Sequence, residues 1–424
     1  MSEPLKKTDD QSFLRKLGPG LITGAADDDP SGIATYSQAG AQFGLNMLWT
    51  SLVTFPLMVG IQIVSARIGR VTGEGLAANI RRLFPRWVLL GIVFLLVVAN
   101  TINIAADIAA MGEALQLVAG GGEHGHAVIF GVLSLLLQVF IPYQRYVRVL
   151  KWLTLSLLAY VAVAFSVHID WADAIHKSFV PTLSFNPDFV AVVVAVFGTT
   201  ISPYLFFWQA SQEVEELRAG NGTSSLTSTL EDARLHLRRI QIDTYIGMGF
   251  SNLIAFFIIL SAAVTLHIAG ITQIQTSAQA ALALRPIAGE FSFLLFSLGI
   301  IGTGMLAVPV LAGATAYAVA DSFGWRQGLD RKLFEATEFY AIIAIATLGG
   351  VLLDFTPIDP IKALFWSAVI NGVIAVPIMV VMMLMATRDD VMGPFVIKRR
   401  LKFLGWLATV AMAMAVVTML ATAW

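Results

Sequence analysis

Apolar runs of about 20 residues, the length a helix needs to cross a bilayer, recur from residue 18 to the end of the chain. Hydrocarbon offers a backbone no hydrogen-bond partner, so such runs must cross as helices that satisfy their own amides. Composition agrees: 57% of the 424 residues are hydrophobic, 13% are charged, and the mean hydropathy is +0.76, far from the mix of a soluble domain. No polar block is large enough for a second domain. The chain therefore reads as one membrane domain, 18–424, behind a cytoplasmic tail, 1–17. That tail carries Lys6, Lys7, Arg15 and Lys16 and lacks the apolar core of a signal peptide. The absence of cysteine excludes disulfides, thiolate metal sites and thiol nucleophiles. A net charge of −1 says little about partners; the bilayer is one, and nucleic acid is not expected.

Reading apolar segments between charges and turn residues gives eleven spans: 18–45, 47–69, 88–119, 127–141, 149–168, 188–214, 242–267, 289–320, 337–354, 359–387 and 401–422. Cytoplasmic loops attract Lys and Arg. With the N-terminus inside, this partition leaves only Lys177, Arg285 and Lys362 of the 27 basic residues outside, and the C-terminal Trp424 falls outside as well. The expected location is the cytoplasmic membrane. Trp49, Trp87, Trp152, Trp171, Trp406 and Trp424 lie near span ends, as interfacial anchors do.

Two spans are interrupted. The first holds Gly18, Gly20, Gly24, Pro30 and Gly32, and the sixth holds Gly198 and Pro203 within "FGTTISPYLFF". Proline removes a donor and clashes with the preceding turn, and glycine lets the backbone leave helical geometry. Freed carbonyls are tolerated at membrane depth only where they line a protein cavity or an ion. Pro30 and Pro203 are 173 residues apart, at corresponding members of two five-helix halves, about 18–168 and 188–387. That is the pattern of an inverted-repeat transporter with its site between two discontinuous helices.

The stretch "AADDDPSGIATY" puts Asp27, Asp28 and Asp29 at the first break. An ionised carboxylate at that depth costs at least about 2.5 kcal/mol and needs a partner. No Lys or Arg lies in the middle of any span, so a cation from solution is the economical counter-charge. Asp29 precedes proline, which biases it away from helix and lets it converge with carbonyls around Thr199. The sixth-span break offers Thr199, Thr200, Ser202 and Tyr204. Oxygen donors of this kind suit hard cations such as Mg²⁺, Ca²⁺ or Mn²⁺. Asp27 and Asp28 are expected to be peripheral, capping the second half-helix or gathering cations in a wet vestibule at the mouth.

At these residues the sequence resembles the Nramp divalent-metal transporters, and more closely their Nramp-related magnesium branch, over nearly the whole chain. "LGPGLITGAADDDPSGIATYSQAGAQFG" is similar to the family's first helix, whose signature is Asp-Pro-Gly-Asn; "TGEGLAANIRRLFP" to a cytoplasmic loop; "GTTISPYLFFWQAS" to the sixth helix; "RRLKFLGWLATVAMAM" to the eleventh. The resemblance implies an all-α membrane fold of eleven transmembrane helices: a LeuT-like 5+5 inverted repeat with helices 1 and 6 discontinuous, plus an eleventh helix. It implies a transporter, not an enzyme, with a divalent metal ion as substrate, no cofactor, and one chain sufficient for transport.

Asp29 falls on the family's metal-binding aspartate, and Ala26 and Thr199 fall on positions that give carbonyls. Gly32 replaces a binding asparagine and Ser202 a binding methionine. Losing the thioether removes the one ligand favouring transition metals, and losing two large side chains should widen the site for an ion that dehydrates reluctantly. Tyr204 and Gln209 stand where the family's sixth-helix histidines would be. Asn100 and Ala110 replace glutamates around Asp107 in "NTINIAADIAAMG". With the relay thinned, metal is expected to run down its gradient and the membrane potential, worth about 4.6 kcal/mol for two charges across ~100 mV. Asp107 either joins the pathway or simply accepts hydrogen bonds from Asn103. Asn252 and Asn371 either line the route or bind adjacent helices.

The leading expectation is therefore a Mg²⁺ importer, passing Mn²⁺, that works by alternating access without proton coupling. Against it stand a proton-coupled Mn²⁺/Fe²⁺ importer, a sodium-coupled organic solute carrier, a metal sensor, and an intramembrane aspartyl hydrolase with Asp29 and Asp107 as its dyad. The acids Glu213, Glu215, Glu216, Glu231 and Asp232 read as a solvated loop balanced by Arg218, Arg234, Arg238 and Arg239. "GGEHGH", with His124 and His126, reads as an exposed turn.

Overall fold

A computed structural model describes residues 19–141, 145, 150, 152–219, 230–356 and 359–422. The tail 1–17, Gly18, Arg148, Lys151, Trp424 and the side chains of Glu231 and Asp232 lie outside the described residues. Numbering helices of more than one turn in chain order, the elements are α1 Pro19–Asp27, α2 Pro30–Phe43, α3 Leu48–Thr72, α4 Leu76–Leu83, α5 Arg86–Ala119, α6 Glu123–Phe140, α7 Leu158–Ser166 and α8 Trp171–Phe179. They continue with α9 Pro187–Thr200, α10 Pro203–Ala219, α11 Leu230–Ala262, α12 Ser277–Ala281, α13 Ser292–Phe323, α14 Thr337–Asp354, α15 Pro360–Ala386 and α16 Arg399–Thr422. The described residues form no strand.

Among the described residues nine helical stretches are long and apolar enough to cross a membrane, and a tenth arises if Leu153–Ser166 and Trp171–Phe179 count as one span bent by 120°. One of the nine, Pro30–Thr72, is two passes. Along α1 and α2 the packing partners on α11 rise in number, from Asp243 beside Gly20 to Gly247 beside Gly24 and Ile259 beside Gly40. Along α3 they fall: Thr54 bonds Asn252, and Phe55 meets Tyr245. The chain therefore reverses at the short 3₁₀ turn Gly44–Met47, where Gly44 takes φ +60°. The 120° bend separates α8, which packs beside the start of α3, from the fifth pass. With Pro30–Thr72 divided at the Gly44–Met47 turn and Leu153–Ser166 taken as one pass, the apolar helical stretches among the described residues fall on the eleven segments read from the sequence.

The two breaks share one local pattern. Asp29 and Ser202 each sit outside a helix, directly before Pro30 and Pro203, which open α2 and α10. Proline is pre-organised for a first helical position and holds its predecessor extended. The glycines expected to open these helices do something else. Gly20 and Gly24 stay in α1 and press it onto α11: a Cβ at Gly24 would overlap the Gly247 backbone. Gly198 stays in α9, and a Cβ there would strike the Ala368 carbonyl and lie 2.5 Å from the Gly372 amide of α15. They are close-packing residues of the small-residue kind that lets membrane helices approach.

The broken helices sit in the middle of the bundle. The α9–α10 pair is almost wholly buried, whereas α6 and α16 are largely exposed and face the surroundings. α5 packs against α13, α14 and α15; α1 lies along α11, α10 along α3 and α9 along α15.

Candidate functional site

Asp29 is extended (φ −72°, ψ 169°), so its carboxylate turns back over the first turn of α2, where Oδ1 accepts the Gly32 amide at 2.6 Å. An N-cap acceptor of this kind satisfies a donor that the helix itself leaves unpaired. The capping role expected of Asp27 and Asp28 therefore belongs to Asp29. Its other oxygen, Oδ2, accepts from Asn103 Nδ2 at 3.1 Å and lies 3.5 Å from the Tyr204 hydroxyl.

Both carbonyls expected as ligands converge here, Ala26 engaged by a side chain of the other break and Thr199 by one of its own. Tyr204 OH donates to the Ala26 carbonyl at 3.1 Å; Ser202 Oγ reaches the Thr199 carbonyl at 2.7 Å and that of Gly198 at 2.9 Å. Tyr36 OH and Thr200 Oγ1 lie 2.9 Å apart across the two helices. The widening expected at Gly32 is absent: a Cβ there would meet Thr199 Oγ1 and Tyr36 Cε2 at 3.3 Å and Asp29 Oδ1 at 3.4 Å. The two halves close on each other around the carboxylate, and Asp29 is 2% exposed.

Asp27 and Asp28 are buried too, so they are not at a wet mouth. They turn to α11, where Ser251 Oγ lies 2.6 Å from Asp27 Oδ2 and 2.9 Å from Asp28 Oδ1; Asp27 Oδ1 has no partner. Asp107 is fully buried and accepts from Asn103 Nδ2 at 3.2 Å, the bond expected from their one-turn spacing. Four carboxylates thus stand inside the bundle, and no ion pair among the described residues reaches any of them.

The remaining pathway candidates separate. Asn371 joins the site, its Nδ2 donating to Asn103 Oδ1 at 3.3 Å while its own Oδ1 is buried and unpaired. Asn100 does not: it donates to the Leu311 carbonyl at 3.1 Å and to Thr315 Oγ1 at 2.9 Å, tying α5 to α13. Gln209 bonds Gln62 at 2.5 Å and Thr244 at 3.1 Å, a layer between α3, α10 and α11. Asn252 donates to the Ser51 carbonyl at 2.9 Å and likewise only joins helices. No direct bond links Asp29 and Asp107; the Asn103 amide stands between them, which removes the shared proton a hydrolase dyad needs.

Asn103 and Ser251 are the site residues that sequence reasoning undervalued. Asn103 carried a signal, one turn from Asp107 on a helix with an acid at depth. Ser251 carried none, because its role depends on α11 lying against α1. The acids after the sixth span also differ from expectation. Glu213 is fully buried, Glu216 forms a forked pair with Arg239, and Glu215 bonds the Tyr317 hydroxyl and the Leu329 amide. They lock α10 to α11 and α13 at the arginine-rich end and do not form a solvated loop.

A cavity of about 740 Å³ opens at the opposite end, lined by Gln38, Gln42, Asp188, Gln273, Lys362 and Trp366 among others. Ala34 and Gln38 of α2 line it, and Asp29 does not. Among the described residues no three His, Cys, Asp or Glu side chains form a metal-holding group, so an ion here would rely on one carboxylate with carbonyl, hydroxyl, amide or water oxygens.

Residues 20–422 match the family model described as natural resistance-associated macrophage protein-like. The chain is 28% identical over 411 residues to the divalent metal cation transporter MntH of Deinococcus radiodurans, covering 94% of this chain and 87% of that one. It is 27% identical over 403 residues to MntH of Klebsiella pneumoniae, covering 93% and 90%. Its fold is similar to the crystal structure of the Eremococcus coleocola manganese transporter, at TM-score 0.77 and 16% identity over 97% of this chain and 88% of that one. It is similar also to Mhp1, a nucleobase-cation-symport-1 family transporter, at TM-score 0.56 and 12% identity over 96% and 92%. By the match over nearly its whole length, this chain belongs to the Nramp family.

Proposed function

We propose that this protein carries a divalent metal ion across the membrane by alternating access, with the ion held at Asp29 between the two helix breaks. The observation that carries this reading is the buried Asp29 carboxylate, set at a break among three further acids with no protein cation to neutralise it. A charge left so is costly, and a substrate cation offsets that cost. Of the two half-helix N-termini that an organic carboxylate could use, that of α2 is already occupied by Asp29 itself, which argues against an organic-anion carrier at this break.

Within that class we propose Mg²⁺ as the physiological ion, with Mn²⁺ also passing and no proton coupling. The four half-helices α1, α2, α9 and α10 contain no Met, His or Cys, so the site offers oxygen alone, which favours hard ions. A second reading, proton-coupled Mn²⁺ or Fe²⁺ import, has its own support, because the relatives of known name are divalent-metal and manganese transporters.

Purified protein in liposomes separates the two. A magnesium-sensitive dye inside, with lumenal pH followed in parallel, should report Mg²⁺ uptake without acidification. Mn²⁺ uptake with acidification and no Mg²⁺ signal would establish the second reading.

A further inference from the structure

We propose that Asn103 is a specificity-determining residue: it decides whether the cation meets Asp29 directly or through its own hydration water. This rests on Asp29 being the ion site.

Asp29 has little to offer a cation in this geometry. Oδ1 caps α2 through the 2.6 Å bond from the Gly32 amide, and giving it up frees a buried donor at the helix start. Oδ2 remains; Asn103 claims it at 3.1 Å, and the Tyr204 hydroxyl, which donates to Ala26, lies 3.5 Å away. The amide is itself held in place. Its second N–H goes to Asp107 Oδ2 at 3.2 Å, and its carbonyl accepts from Asn371 at 3.3 Å. Asn103 and Asp107 are fully buried on α5, and Asn371 is buried on α15. The side chain thus has polar partners on three elements, and swinging it aside breaks bonds in a water-poor interior where each is expensive to lose.

Two routes to Oδ2 remain for a cation. A dehydrated ion must displace the amide, which takes from Asp107 and Asn371 the bonds they make to it. Once the two halves part, a hydrated ion can leave the amide in place and donate a hydrogen bond from one of its waters to the remaining acceptor capacity of Oδ2. Mg²⁺ sheds water reluctantly and loses little by the second route. Mn²⁺, which gains more from direct ligation, is denied that gain. An amide suits the post because it supplies donors to both carboxylates without the positive charge that would repel the substrate; the buried, unpaired Oδ1 of Asn371 adds another acceptor for the waters.

The test uses the full chain. Asn103→Ala and Asn103→Ser are assayed for Mg²⁺ and Mn²⁺ uptake in liposomes, and the waters on bound Mn²⁺ are counted by electron–nuclear double resonance in wild type and variants. Wild type should hold Mn²⁺ with nearly its full hydration shell. The variants should lose coordinated water and raise Mn²⁺ preference over Mg²⁺ by about tenfold, chiefly through a lower half-saturation concentration for Mn²⁺. An unchanged preference and water count overturns the proposal, as does loss of all transport in a folded variant. If neither variant folds, wild type alone decides: Mn²⁺ bound directly to a carboxylate overturns it. Asp29→Asn serves as the separate control, since uptake that survives it removes Asp29 as the ion site, whatever Asn103 does.

Discussion

Asp29 and Ser202 occupy equivalent places at the two helix breaks, each directly before the proline that opens a half-helix, yet their side chains serve opposite ends of their breaks. Asp29 accepts the Gly32 amide of the helix that follows, whereas Ser202 donates to the Gly198 and Thr199 carbonyls of the helix that precedes. One break therefore keeps an acid whose second oxygen meets Asn103, and the other keeps its carbonyls covered.

That division separates charge from folding at Asp29. Asparagine caps as well as aspartate, whereas alanine forfeits about 0.5–2 kcal/mol. Asp29→Asn should abolish divalent uptake with a melting temperature near wild type. Asp29→Ala should abolish uptake and also melt earlier. Paired uptake and thermal-unfolding measurements check both, and robust transport by Asp29→Asn would refute a charge-based site.

Ser202→Met removes the hydroxyl that covers the Thr199 carbonyl and adds a soft sulfur at the break. Preference should move toward Mn²⁺ and away from Mg²⁺ by about tenfold, equivalent to ~1.4 kcal/mol. Competition between the two ions for uptake measures it. No change would assign the selectivity to Gly32 or Asn103.

Gly198→Ala drives a methyl group into the Ala368 carbonyl and the Gly372 amide. Backbone cannot yield as a flexible side chain does, so overpacking should cost about 1–3 kcal/mol. Gly249→Ala is the control, because its Cβ would make only ordinary contact with Phe55 at 3.5 Å. Thermal melts in detergent should separate the two, and equal stability would show that α9 and α15 part easily.

Gln38 ties the segment after α11 to α2 at the floor of the cavity. Its Oε1 accepts the Ile274 amide at 2.9 Å and its Nε2 reaches the Thr272 carbonyl at 3.2 Å. The far end of that segment is anchored on α5, where Glu113 accepts the Ser277 amide and hydroxyl at 2.9 and 2.8 Å. Gln38→Leu should loosen the near end by about 1 kcal/mol, roughly fivefold in opening. Because the chain has no cysteine, a single Thr272→Cys reporter reads this directly: thiol labelling should be about fivefold faster with Gln38→Leu.

What the sequence determined by itself are the features written in covalent geometry and in transfer to lipid. Long apolar runs mark the spans, basic residues sort between loops, and Pro30 and Pro203 break two helices wherever the chain goes. Asp29 was legible for the same reason, since an acid before a proline at membrane depth is costly to keep unless a cation reaches it. Tertiary structure decided which face meets which. It made Gly24 and Gly198 contact residues instead of hinges, turned Asp27 and Asp28 away from water onto Ser251, and buried Glu213. It also set Asn103 between Asp29 and Asp107 and sent Asn100 and Gln209 to other partners. Hydrogen bonds between side chains on separate helices depend on the rotation and close approach of those helices, and one sequence position says nothing of the element packed against it.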